Sequence, residues 1–255
     1  MNSLQHNLTR TIRIRAAREI VFGYFTDSAR WANWWGAGST IEAHPGGKMY
    51  IRYPNGVEVR GEVLEVHARE RIVFTYGFAT GSPIAPGSSR VTITLREQNN
   101  ATVLELFHEF AEAPARDEHI QGWRFQLSVF ANVLLDGIHK AGAAALVDAW
   151  HATWAMTDEA TRAVELQRIT TPEIEFHDRY STLCGYEDVM AHITASQRFM
   201  PGIALQRKGG VIHSQGHLLA GWAAVSPEGK ELMRGNNTYS LAADGRIESV
   251  VGFAG

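Results

Sequence analysis

Alternation of apolar and polar residues marks most of the first half of the chain as antiparallel strands with one wet face. Met49, Ile51 and Tyr53 share a face, as do Ile72, Phe74, Tyr76 and Phe78. Val91, Ile93 and Leu95 repeat the pattern against Thr92 and Thr94. In the last strand of this half Leu104, Leu106, His108 and Phe110 point one way, Glu105 and Glu109 the other. Two short helical segments precede these strands, over 17–25 and around Trp31, Trp34 and Trp35. From about Asp117 to His139, Ile120, Trp123, Leu127, Phe130 and Leu134 recur at three- and four-residue steps, which predicts one long helix covering the sheet.

The pattern changes near Ala141 and Gly142. Beyond it, Leu146, Trp150 and Trp154 fall on one helical face, and Asp158 caps a second helix running to about Arg168. Strands follow, with Ile174 and Phe176 on one side and Glu173, Glu175 and His177 on the other. Helices then strands, twice over, predicts an α+β protein of two domains, 1–140 and 141–255.

Within these patterns two polar residues occupy apolar phases. Asp178 continues the side of Ile174 and Phe176. It either bonds to its own turn at the strand's exit or looks into a pocket, where burial would suit it to general-base work. Asn237 shares a face with Tyr239 and Leu241, while Asn236, Thr238 and Ser240 face away. From separate strands, the acid and the amide could converge in one cavity. In the first half Trp34, Trp35, Tyr53, Phe74, Tyr76, Phe78 and Trp123 either fill a core or line a cavity between the sheet and the long helix. His108 there is either a hydrogen-bonded core residue or else a ligand contact or catalytic proton carrier.

Composition narrows the partners. The 255 residues carry 24 Lys and Arg against 27 Asp and Glu, a formal charge of −3, so no basic excess is available to neutralise nucleic-acid phosphates. Up to Lys140 there are 15 basic and 14 acidic residues, and beyond it 9 and 13, so neither half carries a field that names a partner. A single cysteine, Cys184, excludes an intrachain disulfide. No run approaches the ~20 apolar residues of a membrane span, and the N-terminus is too polar for a signal peptide, so a cytoplasmic protein is expected. His213 and His217 have a turn-forming Gly216 between them, and neither His-x-His nor Cys-x-x-Cys occurs, so no metal and no other cofactor is expected. Gly46-Gly47 and Gly209-Gly210 are read as strand-turn glycines, since no helix start follows them.

Two resemblances extend this reading. The ordered pieces IRAAREIVFGYFTD, WANWWG, HPGGKMYIRYPNG, GEVLEVHARERIVFTYGF and PGSSRVTITL, over about residues 8–140, resemble the SRPBCC (START-like) superfamily. Within it they are similar to the branch of the activator of the ninety-kilodalton heat-shock-protein ATPase. That resemblance implies a helix-grip (START/Bet v-like) fold around a hydrophobic cavity. The pieces LVDAWHATWAMTDEATR, TPEIEFHDRYSTLCGYEDVMAHI and NNTYSLAADGRIESVVGF, over about 143–253, resemble the nuclear-transport-factor-2-like (SnoaL-like) superfamily, which implies a cone-shaped α+β barrel with a mouth-facing pocket. Against the ketosteroid isomerases of that superfamily, Asp178 falls at the general base, Trp150 at the tyrosine donor and Asn237 at the acid donor.

Together these readings predict binding of a small hydrophobic, polycyclic or polyketide-like molecule, with cyclase- or isomerase-type proton transfer by Asp178, Asn237 and Trp150 as an extension. Trp154, Phe176, Tyr180 and Tyr239 complete the expected lining of the second pocket. The rival reading is a non-enzymatic co-chaperone-like or regulatory module, with pairing of two copies through the C-terminal domain.

Overall fold

The computed structural model describes residues 3–255. The chain divides into two compact units, one ending at Leu134 and one beginning at Leu135. No helix among the described residues is long and apolar enough to cross a membrane.

The first unit opens with β1 (His6–Ile14), followed by α1 (Arg18–Gly23) and α2 (Ser28–Trp35). Asp27 starts α2 by accepting the Arg30 N–H at 2.8 Å, which satisfies one of the open donors of the first turn. Trp31, Trp34 and Trp35 are all buried beneath that helix. Then come β2 (Thr40–Ile41), β3 (Lys48–Arg52), β4 (Glu58–His67), β5 (Arg71–Tyr76), β6 (Ser89–Gln98) and β7 (Ala101–Phe110). They form one antiparallel sheet in the order β1-β7-β6-β5-β4-β3-β2. Burial follows the predicted alternation: Val91, Ile93, Leu95, Leu104, Leu106, His108 and Phe110 are all inside.

The long helix α3 covers Ala113–His139 and begins four residues before the predicted Asp117. Pro114 lies in its first turn, where an amide N–H would have no helical partner, so the proline is tolerated there. Trp123, Leu127, Phe130 and Leu134 are buried as the spacing requires.

The second unit begins in the last turn of α3 and continues with α4 (Ala143–Thr153) and α5 (Glu159–Ile169). The predicted cap is present: Asp158 accepts the Thr161 N–H at 2.8 Å. β8 (Thr170–His177), β9 (Thr182–Cys184), α6 (Tyr186–Phe199), β10 (Ala204–Ser214), β11 (His217–Val225), β12 (Glu231–Leu241) and β13 (Ile247–Ala254) complete the unit. The sheet order is β10-β11-β12-β13-β8-β9, antiparallel except where β13 and β8 run parallel. Gln215 and Gly216 make the tight turn between His213 and His217, both with positive φ.

One glycine reading is corrected. Gly46 lies in a turn between strands at φ +83°, but Gly209 and Gly210 lie inside β10, where the pairing with β11 shifts between Lys208 and Val211. The pair makes a bulge rather than a turn, and Gly209 takes the positive φ of +75° that a side chain would resist.

Arg162 on α5 is fully buried, which is rare for a guanidinium. Its Nη1 donates to the Met156 carbonyl at 2.8 Å and to Gln197 Oε1 at 2.9 Å, and its Nη2 donates to Thr194 Oγ1. The amide of Gln197 donates in turn to the carbonyls of Trp154 and Met156, both at 2.9 Å. One side chain thereby ties α5, α6 and the α4–α5 connection together.

Candidate functional site

Each unit contains an open cavity. In the first unit it measures about 550 Å³ and is lined by Trp34, Trp35, Tyr53, Tyr76, Phe78 and Trp123 among the expected aromatics. Phe74 is not in the lining: it packs edge-on against Trp31 at 5.9 Å, in the solid core. His108 is not in the lining either. Trp123 donates its indole N–H to His108 Nδ1 at 2.9 Å, and the Ser89 hydroxyl meets Nε2 at 2.8 Å. Ser89 already donates to the Tyr76 carbonyl at 2.7 Å, so Nε2 carries the ring's proton and Nδ1 accepts. Both nitrogens are committed, and burial drives the imidazole's pKa well below its usual value. His108 is a neutral strut that aims Trp123 at the cavity.

The second cavity, about 380 Å³, takes Trp150, Trp154, Phe176, Asp178, Tyr180 and Asn237 into its wall. Ile203, Leu205, Ala224 and Met233 supply further apolar lining. Tyr180 is 81% exposed, so it stands at the mouth. Tyr239 does not line the cavity but is fully buried.

Both readings of Asp178 describe part of its environment. It follows directly on β8, and its Oδ1 accepts the Tyr180 N–H at 2.8 Å, closing its own turn. It is nonetheless half-buried and lines the cavity, and Oδ2 has no hydrogen-bond partner among the described residues. The parallel pairing of β13 with β8 brings Gly252 alongside. A methyl carbon at Gly252 would stand 3.3 Å from Asn237 Oδ1 and 3.4 Å from Asp178 Cβ. The acid and the amide therefore flank one glycine in the same wall.

The orientation of the Asn237 amide is fixed by its neighbours. Trp222 Nε1, a donor only, sits 2.8 Å from Oδ1, so the amide's NH₂ faces the other way. That NH₂ donates to the Tyr239 hydroxyl at 3.3 Å, and the hydroxyl meets His151 Nε2 at 3.2 Å, with the direction of this last bond set by the histidine's tautomer. His151 is buried and neutral, and its Nδ1 has no hydrogen-bond partner among the described residues. Burial, aided by the Arg207 cation and only partly opposed by Asp148, lowers its pKa to about 4. The chain Trp222–Asn237–Tyr239–His151 leaves the second amide N–H of Asn237 uncommitted.

Trp150 fares differently from its expected role as donor. Its indole nitrogen is buried without a partner, out of reach of a water-sized contact, as is that of Trp154. Trp150 offers the cavity ring surface, stacked against Phe176 at 6.1 Å, and not a hydrogen bond. His192 also lines the cavity, its ring 5.9 Å from Phe176 and 5.7 Å from Trp154. From the sequence alone, surface exposure is the expectation for His192, beside the inward-facing Ile193. His151, Trp222 and, in the first unit, His119 carried no periodicity signal that set them apart from core or surface. Among the described residues no group of three or more His, Cys, Asp or Glu side chains is placed to hold a metal ion, and Cys184 is exposed.

The depressed pKa of His151 predicts an acid-sensitive second unit. Above about pH 6.5 the ring is neutral folded and unfolded, so its stabilisation is fully present. As pH falls, the unfolded ring takes up its proton first, and stability drops until about pH 4, by up to about 3 kcal/mol. Urea unfolding across that window is expected to show this loss, and His151→Gln, which can still accept from Tyr239, is expected to reduce it. An equal loss in the variant would reject the assignment.

Comparison with known proteins adds three observations. Residues 15–134 match the family described as "Activator of Hsp90 ATPase homolog 1-like protein". No curated protein matches the chain. Similar solved structures include a putative isomerase of the SnoaL-like family from Agrobacterium tumefaciens, 23% identical over 44% of this chain and 95% of that one, with a TM-score of 0.42. An AHSA1-like protein from Rhizobium etli is 29% identical over 51% of this chain and 81% of its own, TM-score 0.42. The Aha1 dimer from Colwellia psychrerythraea is 15% identical over 48% and 91%, TM-score 0.43.

Proposed function

We propose that this chain, whose residues 15–134 carry the activator-like pattern, binds small apolar molecules in the two cavities described above, and that the second of them performs proton transfer next to a carbonyl. The observation that carries the chemistry is the meeting of Asp178 and Asn237 on either side of Gly252. Aromatic and aliphatic walls supply affinity, and the two polar side chains set orientation.

The Oδ2 of Asp178 takes a proton from the carbon beside the carbonyl. The C–H electron pair moves into the new C=C bond, and the carbonyl pair moves onto oxygen. The free N–H of Asn237 donates to that oxygen as its charge develops, and Trp222 and Tyr239 hold the amide in the required sense. Return of the proton to the same or a neighbouring carbon completes an exchange or an isomerisation.

Titration of the full chain with 2-tetralone, a bicyclic ketone, tests the binding step. Saturable shifts are expected in the methyl resonances of Ile203, Leu205 and Ala224. Silence at all three would reject this cavity as a binding site. The family match favours a second reading for the first unit, an interaction with a chaperone ATPase. Stimulation of such an ATPase by the full chain, at concentrations where the cavities bind no apolar probe, would promote it.

A further inference from the structure

The first unit's cavity has a polar sector that its aromatic walls do not explain. The hydroxyls of Tyr53 and Tyr76 lie 3.2 Å apart, and both residues line the cavity. Two hydroxyls hold two protons, and the contact between them uses one, so one O–H of the pair has no partner among the described residues. Burial raises both phenol pKa values, so both groups keep their protons at neutral pH.

His119 stands edge-on to the Tyr76 ring, with centroids 5.8 Å apart at 87°, and lines the same cavity. Its Nδ1 lies 2.7 Å from the Ala115 carbonyl, an acceptor, so Nδ1 bears the proton and Nε2 is left as a bare acceptor. Burial lowers its pKa, which keeps the ring neutral. Tyr76 itself is boxed in by Phe78 at 5.8 Å and His108 at 5.3 Å, and the strut through Ser89 holds that box rigid. The lining therefore contains one uncommitted donor and one uncommitted acceptor, together with Trp34, Trp35 and Trp123.

We infer that this cavity takes a hydroxylated aromatic molecule, its phenolic oxygen accepting from the Tyr53–Tyr76 pair and its O–H donating to Nε2 of His119. A hydroxyl gives and receives at a single oxygen, and the aromatic walls favour one carried on an aromatic ring. A ketone or an ether can only receive, and a bare hydrocarbon would leave both protein groups unpaired, which costs affinity. The inference rests on the ligand-binding reading above and names the ligand class for one of the two cavities.

Three bicyclic probes of similar shape separate the terms: naphthalene, 2-methoxynaphthalene and 2-naphthol. Each is titrated into the full chain, and binding is read at the methyl resonances of Val57 and Val129, which line this cavity and not the other. Each hydrogen bond gained is expected to tighten binding about fivefold, so affinity rises from naphthalene through the ether to 2-naphthol. The double variant Tyr53→Phe/Tyr76→Phe is expected to remove the ether's advantage over naphthalene, because either hydroxyl left alone could still donate, and His119→Phe is expected to remove the naphthol's advantage over the ether, with naphthalene binding retained. The order of the three affinities in the unmodified chain carries the test if the double variant fails to fold. Equal binding of all three probes would overturn the inference and leave the apolar-ligand reading standing. Binding of none would overturn both for this cavity.

Discussion

Asp178→Asn is expected to slow protein-catalysed deuterium exchange at carbon 1 of 2-tetralone by about 10²–10⁴-fold, the usual contribution of a positioned general base. Carbon 1 lies between a carbonyl and an aromatic ring, so its protons are acidic enough for a carboxylate to remove. The substitution keeps the acceptor oxygen that closes the turn with the Tyr180 N–H, so the loop geometry should survive and the loss should report chemistry. Asn237→Leu, which withdraws the oxyanion donor, is expected to cost about 10²–10³-fold. Exchange followed by proton NMR in deuterated buffer measures both. An unchanged rate in Asp178→Asn would remove that residue from the mechanism.

The largest stability effect is expected at Arg162. Replacement by alanine removes a fully buried cation that donates to Met156, Thr194 and Gln197, and leaves a void among α5, α6 and the α4–α5 connection. Hydrogen bonds from a charged donor contribute more than neutral ones, and the expected cost is about 3 kcal/mol. Hydrogen exchange at the β8 and β13 amides should register this as a roughly 100-fold loss of protection. Because Gln197 belongs to the cavity wall, 2-tetralone affinity should fall in parallel. Arg162→Met, which keeps much of the volume, should recover part of the loss. A change of less than about 1 kcal/mol in the alanine variant would show that the network is not what holds these helices together.

Much of this architecture is legible in the amino-acid sequence, for a specific reason. Strand alternation reports which face a residue takes, so Leu104, Leu106, His108 and Phe110 could be assigned to the inside together. Helix capping is equally local, and Asp158 announces its helix within a few residues. Depth along a strand is different. Asn237 and Tyr239 share a face, but one reaches the cavity and the other sits wholly in the core beneath it, a distinction that depends on where β12 meets its neighbours.

Non-local pairing hid the rest. The convergence of Asp178 with Asn237 needs the parallel register of β13 against β8, which no short segment encodes. His119 lies two residues beyond the predicted start of α3, and only the observed helix turns its ring toward Tyr76. The sidedness of Asn237 comes from Trp222 on β11, fifteen residues away in sequence but next to it in the sheet. Trp150 shows the converse failure: a donor-bearing side chain at a suggestive position whose nitrogen is sealed from the cavity it lines.

Native mass spectrometry of the freshly purified full chain is the most direct test that these cavities exist to hold molecules. A population carrying a discrete small-molecule mass, released by collisional heating and lost on denaturation, is the predicted result. A single unliganded mass, unchanged after incubation with 2-tetralone and 2-naphthol, would contradict the account at its base.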